Sequence, residues 1–153
     1  MDNNRLKPIQ ILMIDDNPAD VDLVRETILE KEPDSVLTEA HDGADAMLYL
    51  RRSGRYSQAP RPDLILLDLN MPGMDGFDVL REIRKDVDLT CIPVLILTSS
   101  TAQQDVDRGY QFSANAYLAK PVGLDQFSAL VRTIEEFWLA AVRLPSRQCV
   151  VSE

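Results

Sequence analysis

Residues 9–18 read IQILMIDDNP, a short and almost continuous apolar run that ends abruptly in two carboxylates, an amide and a proline. Such a run is typical of a strand that is buried on both faces, as in a parallel sheet. Asn17 can cap a helix, and Pro18 suits the first position of one. The segment therefore predicts a buried strand that leads directly into a helix.

Strand and helix patterns alternate five times along the chain, which predicts an α/β fold with a parallel sheet and helices on both of its faces. The length of 153 residues is the usual size of one domain. We expect this single domain over residues 1–145 and a polar, disordered tail over 146–153. The predicted strands are 9–14, 35–40, 64–68, 93–98 and 116–119, and the predicted helices begin near 18, 43, 76, 99 and 124, with the last reaching Leu144 before Pro145 stops it.

Composition excludes several classes of function. The net charge is -9, with 25 acidic and 16 basic residues, which argues against binding to nucleic acid or to an anionic membrane surface. We find no apolar run that could span a bilayer and no signal-peptide core, so we expect a cytoplasmic protein. Cys91 and Cys149 are expected to be free thiols in a reducing cytosol. A single histidine, His41, excludes multi-histidine metal sites.

Polar side chains stand where the predicted strands end: Asp15 and Asp16 after the first, Asp68 at the third, Thr98 at the fourth and Lys120 at the fifth. If those strands are neighbours, all five lie along one edge of the sheet. Three carboxylates that lie close together repel one another, and a hard cation such as Mg²⁺ relieves that repulsion. A lysine and a hydroxyl beside them would suit a phosphoryl group, with Asp68 as its acceptor.

Each of these residues also has an ordinary interpretation. Asp15 and Asp16 could cap the first helix, Asp68 could cap the turn that follows it, and Thr98 could simply end a strand. A lone lysine such as Lys120 is most often a solvated surface residue. Their joint occurrence at the same predicted edge favours a functional site.

Four motifs together resemble the receiver domain of two-component response regulators. They are DD at 15–16, LLDLNMPGMDG at 66–76, LTSS at 97–100 and AYLAKP at 116–121. The resemblance covers about residues 10–138. It implies a flavodoxin-like, doubly wound sheet of five parallel strands in the order 2-1-3-4-5, with five helices in three α/β/α layers and an extended C-terminal helix.

The resemblance also implies roles for particular residues. Asp68 would be the phosphoacceptor, and Thr98 and Lys120 would contact the phosphoryl group. Tyr117 would change its position on phosphorylation, and the Lys120–Pro121 peptide bond would be cis. Mg²⁺, or alternatively Mn²⁺, would be held by Asp15, Asp16, Asp68 and the backbone carbonyl of Asn70.

Two further segments resemble single-domain regulators that are paired with phytochrome-type histidine kinases. They are SGRYSQAP at 53–60 and EEFWLAAVRLP at 135–145. The resemblance implies a histidine kinase partner that senses red and far-red light. No output domain is predicted after the fifth helix, so we expect this chain to signal by protein–protein contact.

The last predicted helix carries a second apolar stripe at a spacing of seven, formed by Leu130, Phe137 and Leu144. One interpretation is that the helix is broad-faced and packs both stripes on its own domain. We favour the other, in which the helix extends past the sheet and leaves this stripe exposed. It predicts a homodimer through the face formed by the fourth helix, the fifth strand and the fifth helix.

Three other functions fit less well. A magnesium-dependent phosphatase with an aspartate nucleophile would need an acidic residue where Asn70 stands. A flavin-binding module would need a phosphate-binding loop in place of the acidic DDNP. A receiver-like module that acts without phosphorylation would not need the complete acidic set. We therefore expect a phosphoacceptor that assists its own phosphorylation and dephosphorylation, and not an enzyme with a separate substrate.

Overall fold

The computed structural model describes residues 8–149 as one α/β domain. A 3₁₀ turn lies at Gly54–Tyr56, and a π-helical turn lies at Glu135–Ala141. No helix in this part of the chain has the length and apolar character needed to cross a membrane. The strands are β1 (Gln10–Ile14), β2 (Val36–Ala40), β3 (Leu64–Leu67), β4 (Val94–Thr98) and β5 (Ala116–Ala119), and the helices are α1 (Pro18–Lys31), α2 (Gly43–Leu50), α3 (Gly76–Lys85), α4 (Gln103–Gln111) and α5 (Leu124–Ile134).

The five strands form one parallel sheet in the order β2-β1-β3-β4-β5. Every residue of β3 and β4 is buried, whereas β2 and β5 lie at the edges and are partly exposed. The predicted order and the buried apolar strands are therefore confirmed. The order reverses between β1 and β3, which is where ligands bind in open α/β sheets.

Successive side chains along each strand point to opposite faces of the sheet and pack into two separate hydrophobic cores, one on each face. Leu12 and Ile65 face the core that α2 and α3 cover. Ile11 and Leu64 face the core that α1 and α5 cover. This arrangement is the predicted three-layer α/β/α architecture.

Side-chain caps fix the starts of α1, α2 and α3 on the site side of the sheet, whereas α4 and α5 begin without one. Asn17 accepts hydrogen bonds from the backbone N–H groups of Ala19 and Asp20, with Pro18 as the first residue of α1. Asp75 caps α3 through a capping box with Asp78. The Asn17 cap was predicted from the sequence, and the two caps fix the loops that carry Asp15, Asp16 and Asp68.

The last helix differs from the prediction, because regular α-helix ends at Ile134 instead of continuing to Leu144. The following π turn bonds Val142 N–H to the carbonyl of Phe137, five residues earlier. This wider turn places Leu139 fully inside the core, although an α-helical spacing does not predict it there. The chain therefore stays helical past Ile134 as predicted, but its last turns are π-helical and end at Ala141 instead of Leu144.

The same change breaks the second apolar stripe. Leu130 and Leu144 are half-buried and pack against their own domain's core. Phe137 alone remains largely exposed, at 56%. The stripe is therefore not one continuous exposed surface.

The two cysteines are joined in a disulfide, so the expectation of free thiols is wrong. They are 58 residues apart in sequence, but the fold brings their Cα atoms to 6.0 Å. Arg147 donates two hydrogen bonds to the Asp63 carboxylate, at 2.7 and 2.9 Å, and Arg61 donates one to the carbonyl of Cys149 at 2.8 Å. Residues 146–149 therefore pack on the domain, where we expected disorder, and residues 150–153 lie outside the described part.

Reduction of the Cys91–Cys149 disulfide should lower the free energy of unfolding by about 2–4 kcal/mol, because a long loop of the unfolded chain is no longer closed. Thermal unfolding with and without a phosphine reductant measures this change. Cys149→Ser should unfold at the reduced protein's temperature and should not respond to reductant. An unchanged midpoint in reduced wild type would contradict the prediction.

Candidate functional site

The predicted polar residues meet at the carboxyl edge of the sheet. Asp15, Asp68 and Lys120 each follow directly after a strand, namely β1, β3 and β5, and Thr98 is the last residue of β4. Because β1, β3, β4 and β5 are consecutive neighbours in a parallel sheet, their carboxyl ends lie side by side. The fold thus assembles residues that are more than 100 positions apart in sequence.

Three carboxylates form a candidate cation site. Asp15, Asp16 and Asp68 each place one oxygen within 4.8 Å of the other two. Asp15 and Asp68 are buried, and Asp16 is exposed. A set of oxygen donors with one open side suits a hard divalent cation that keeps some of its water, so the residues fit such an ion.

Lys120 supplies the positive charge that compensates these carboxylates. Its Nζ lies 2.7 Å from Asp15 Oδ2, 2.9 Å from Asp20 Oδ2 and 3.6 Å from Asp68 Oδ2. The lysine side chain is only 6% exposed. A surface lysine is therefore excluded, and this ammonium group is a structural part of the site.

The contact with Asp20 was not predicted from the sequence. Asp20 lies in the first turn of α1, where a carboxylate is ordinarily explained by the helix dipole. The sequence could have indicated this contact, because α1 begins two residues after Asp16. Its first turn, which contains Asp20, therefore lies at the same edge of the sheet as the predicted site.

The Asp15 carboxyl group has a raised pKa. Burial raises its pKa to about 6, although Lys120, through a hydrogen bond and its charge, and the backbone N–H of Asn17 act in the opposite direction. Burial also opposes the charge on Lys120, but the hydrogen bonds that it donates to Asp15 and Asp20 outweigh this effect and raise its pKa. The lysine therefore remains an ammonium ion.

The hydroxyl of Thr98 is buried and has no hydrogen-bond partner within residues 8–149. A buried polar atom without a hydrogen-bond partner lowers the stability of the folded state by about 1–3 kcal/mol. An oxygen-rich anion placed beside Asp68 and Lys120 would accept the missing hydrogen bond. The unsatisfied hydroxyl therefore fits the predicted contact with a phosphoryl group.

Tyr117 connects β5 to the loop after β4. Its hydroxyl donates a hydrogen bond to the carbonyl of Ser100 at 3.0 Å, and its backbone N–H donates one to the hydroxyl of Tyr110 at 3.2 Å. Burial raises the pKa of the Tyr117 hydroxyl. The ring is half-buried, and its partner Ser100 lies two residues after Thr98 in the chain.

The structure corrects one feature of this edge and adds another. The Lys120–Pro121 bond is trans, since no peptide bond over residues 8–149 is cis, and the cis prediction is therefore wrong. Gly76 begins α3 directly against the Asp68 loop, and a Cβ atom there would lie 2.7 Å from Leu69 Cα. The absence of a side chain at Gly76 lets α3 start close to Asp68.

Asn70 is exposed, and its backbone N–H donates a 3.4 Å hydrogen bond to Asp68 Oδ1.

Comparisons with known proteins agree with this arrangement. The sequence model of the response regulator receiver domain matches residues 11–132. Response regulator Rcp1 of Synechocystis sp. is 43% identical over 139 residues, which is 91% of this chain and 95% of that protein. The probable methanogenesis regulatory protein FilR2 of Methanothrix harundinacea is 35% identical and covers 90% of this chain and 88% of its own.

Two solved structures are similar over almost their whole length. The phosphorylated cyanobacterial phytochrome response regulator RcpA superposes with a TM-score of 0.88 at 42% identity and covers 91% of this chain and 99% of its own. The Mn²⁺-bound form of response regulator Rcp1 superposes with a TM-score of 0.87 at 44% identity and covers 91% of this chain and 100% of its own. The chain therefore belongs to the response regulator receiver domains, the modules that receive the phosphoryl group in two-component phosphorelays.

Proposed function

We propose that this protein accepts a phosphoryl group on Asp68 from a histidine kinase and passes the signal on by protein–protein contact. The observation that carries the proposal is the position of Asp68 between the ammonium group of Lys120 and the other acidic residues of the site. The unsatisfied hydroxyl of Thr98 supports it. No separate substrate is required, and Asn70 stands where a phosphatase of this chemistry would carry its acid–base carboxylate. We therefore propose that the protein is not an enzyme in its own right.

The transfer step needs little covalent chemistry from the protein. A carboxylate oxygen of Asp68 attacks the phosphorus atom, the bond from phosphorus to the donor's histidine nitrogen breaks, and the nitrogen keeps the bonding electron pair. Lys120 neutralises negative charge on the phosphoryl oxygens, and Thr98 donates a hydrogen bond to one of them. These residues position the reacting groups and stabilise charge.

Mg²⁺ is the proposed cation, with Mn²⁺ as a substitute. Asp15, Asp16, Asp68 and the backbone carbonyl of Asn70 would hold it, and its charge would offset the repulsion between the carboxylates and the phosphoryl oxygens. The acidic cluster supports a divalent ion, and the Mn²⁺-bound form of the related Rcp1 agrees with it.

The phosphoryl group would change the surface through Thr98 and Tyr117. Movement of Thr98 towards the new anion would shift the loop after β4, whose Ser100 carbonyl holds the Tyr117 hydroxyl. A tyrosine released from this bond can take another rotamer and alter the face formed by α4, β5 and α5. That face is the proposed signalling surface.

Saturating Mn²⁺ or Mg²⁺ should raise the thermal unfolding midpoint of wild type by about 5–10 °C, because the ion binds only the folded state. Asp16→Asn should remove most of the shift, while Asp22→Asn, on the exposed side of α1, should keep it. The shift should be smaller at pH 5 than at pH 7.5, since a proton competes for Asp15, whose pKa is raised to about 6. Equal shifts in all three proteins would contradict this site.

Wild type incubated with acetyl phosphate and Mg²⁺ should gain the mass of one phosphoryl group, as measured by intact-protein mass spectrometry. Asp68→Asn should gain none, because an amide cannot form the acyl phosphate. Asp22→Asn should be labelled like wild type. Unlabelled wild type, with acetyl phosphate and with a histidine kinase, would favour the module that acts without phosphorylation.

We propose that the partner kinase is of the phytochrome type. The related RcpA is a cyanobacterial phytochrome response regulator, and a bacteriophytochrome response regulator, AtBRR, superposes at 34% identity with a TM-score of 0.68. On this proposal the kinase senses light, and this chain receives only the phosphoryl group.

A purified phytochrome histidine kinase, preloaded with labelled phosphate, should transfer it to this protein at least tenfold faster than a non-photosensory histidine kinase does. The reason is that contact residues at the carboxyl edge discriminate between kinases. Transfer should also change between red and far-red irradiation. Equal rates from both kinases would exclude a dedicated phytochrome partner.

We propose that the protein forms a homodimer through the face of α4, β5 and α5, with Leu130, Phe137 and Leu144 at or near the contact. Phe137 offers the main support, because it is 56% exposed and stacks edge-to-face on Trp138. Exposed aromatic side chains are frequent anchors of interfaces. Leu130 and Leu144 would contribute mainly by supporting the surface around Phe137.

Light scattering coupled to size exclusion should give twice the chain mass for wild type at high micromolar concentration. Phe137→Glu should give a monomer, since it places a charge in the interface, and Val36→Glu on the opposite edge of the sheet should stay dimeric. A monomeric wild type would exclude the dimer.

We also propose a cytoplasmic location, because histidine kinases draw their phosphoryl groups from intracellular ATP. The Cys91–Cys149 disulfide is unusual for that compartment, where thiols are kept reduced. The proposal therefore predicts that the reduced form is the one present in growing cells, which alkylation of free thiols before lysis would measure.

A further inference from the structure

Lys120 has a third carboxylate partner that the chemistry of phosphoryl transfer does not require. The Asp20 carboxylate accepts a 2.9 Å hydrogen bond from Lys120 Nζ, whereas the nearest oxygen of Asp68 lies 3.6 Å from the same nitrogen. Asp20 lies in the first turn of α1, and Asn17, Pro18 and the sheet edge fix the position of that turn. The contact is therefore built into the fold.

We propose that Asp20 is a positioning residue that holds Lys120 away from Asp68 until a phosphoryl group arrives, and so limits the rate of phosphorylation. The inference rests on the proposed phosphorylation of Asp68. An ammonium group has three N–H donors, and Asp15 and Asp20 each occupy one of them at short distance. The third donor can reach one phosphoryl oxygen, but a second hydrogen bond to the phosphoryl group requires Lys120 to give up one of these two contacts.

Burial decides which contact weakens. The Asp15 side chain is 1% exposed and would lose a charged partner without gaining water. The Asp20 side chain is 23% exposed, so water can replace the lysine there. The Asp20 contact is thus the one that breaks, and it sets how readily Lys120 turns towards Asp68.

Charge acts in the same direction. Asp15, Asp20 and Asp68 lie within 4 Å of Lys120, and Asp16 lies beside Asp15 and Asp68, so these residues carry more negative than positive charge before an anionic phosphodonor approaches. Removal of the Asp20 charge reduces this repulsion and frees the lysine. Both effects predict faster phosphorylation, whereas a residue that only stabilises the helix N-terminus would change stability and leave the rate unchanged.

The test compares full-length variants by intact-mass time courses over a range of acetyl phosphate concentrations with saturating Mg²⁺. Asp20→Ala should raise the second-order rate constant about tenfold and Asp20→Asn about threefold, because asparagine keeps an acceptor for Lys120 but lacks the charge. Asp20→Glu should restore the wild-type rate within about twofold, since it keeps the carboxylate. Asp22→Asn is the matched control on the same helix, and its rate should equal that of wild type.

Three results would overturn the inference. They are an unchanged or lower rate in Asp20→Ala, equal rates in the alanine and asparagine variants, which would indicate bare charge repulsion without a held lysine, and a failure of Asp20→Glu to restore the rate. Thermal unfolding of each variant identifies any loss of folding. Wild type that is not labelled at all would instead reject phosphorylation of Asp68, so the two failures are distinguishable.

Discussion

The ammonium group of Lys120 is the interaction on which the site depends. It is nearly buried and lies within 4 Å of carboxylates from three different segments of the chain. A buried charge is tolerated only when it is paired and hydrogen-bonded, and here each partner is itself a buried or half-buried acid. The lysine and the carboxylates therefore stabilise one another, and removal of either would leave an uncompensated charge at the sheet edge.

The sheet order explains why such a cluster can exist. Four strands carry Asp15, Asp68, Thr98 and Lys120 at their carboxyl ends. These strands, β1, β3, β4 and β5, are consecutive neighbours because β2 lies at the outer edge of the sheet, beside β1. The rigid hydrogen-bonded strands hold the backbone of these residues, while the Asn17 and Asp75 caps hold the adjoining loops. One hydroxyl, that of Thr98, is left without a partner among residues 8–149, which indicates a site shaped for an additional group.

The opposite end of the domain has a different character. There the chain closes with the π turn, the Arg147–Asp63 ion pair and the Cys91–Cys149 disulfide. These features lie at the amino ends of the strands and tie the final residues to the body of the domain, because Asp63 immediately precedes β3 and Cys91 precedes β4. The candidate site and the attachment of the tail are thus separated by the length of the sheet.

The sequence by itself determined the alternation of strands and helices, the Asn17 cap of the first helix and the residues at the carboxyl edge. These features depend on local propensity, on apolar runs and on motifs whose members are close neighbours in sequence. Only the tertiary structure decided the π turn that buries Leu139, the partial burial of Leu130 and Leu144, the trans Lys120–Pro121 bond, the disulfide and the Asp20–Lys120 contact. In the disulfide and the Asp20 contact, residues 58 and 100 positions apart become neighbours. Their distance is set by how elements pack, and no periodicity along the chain records it.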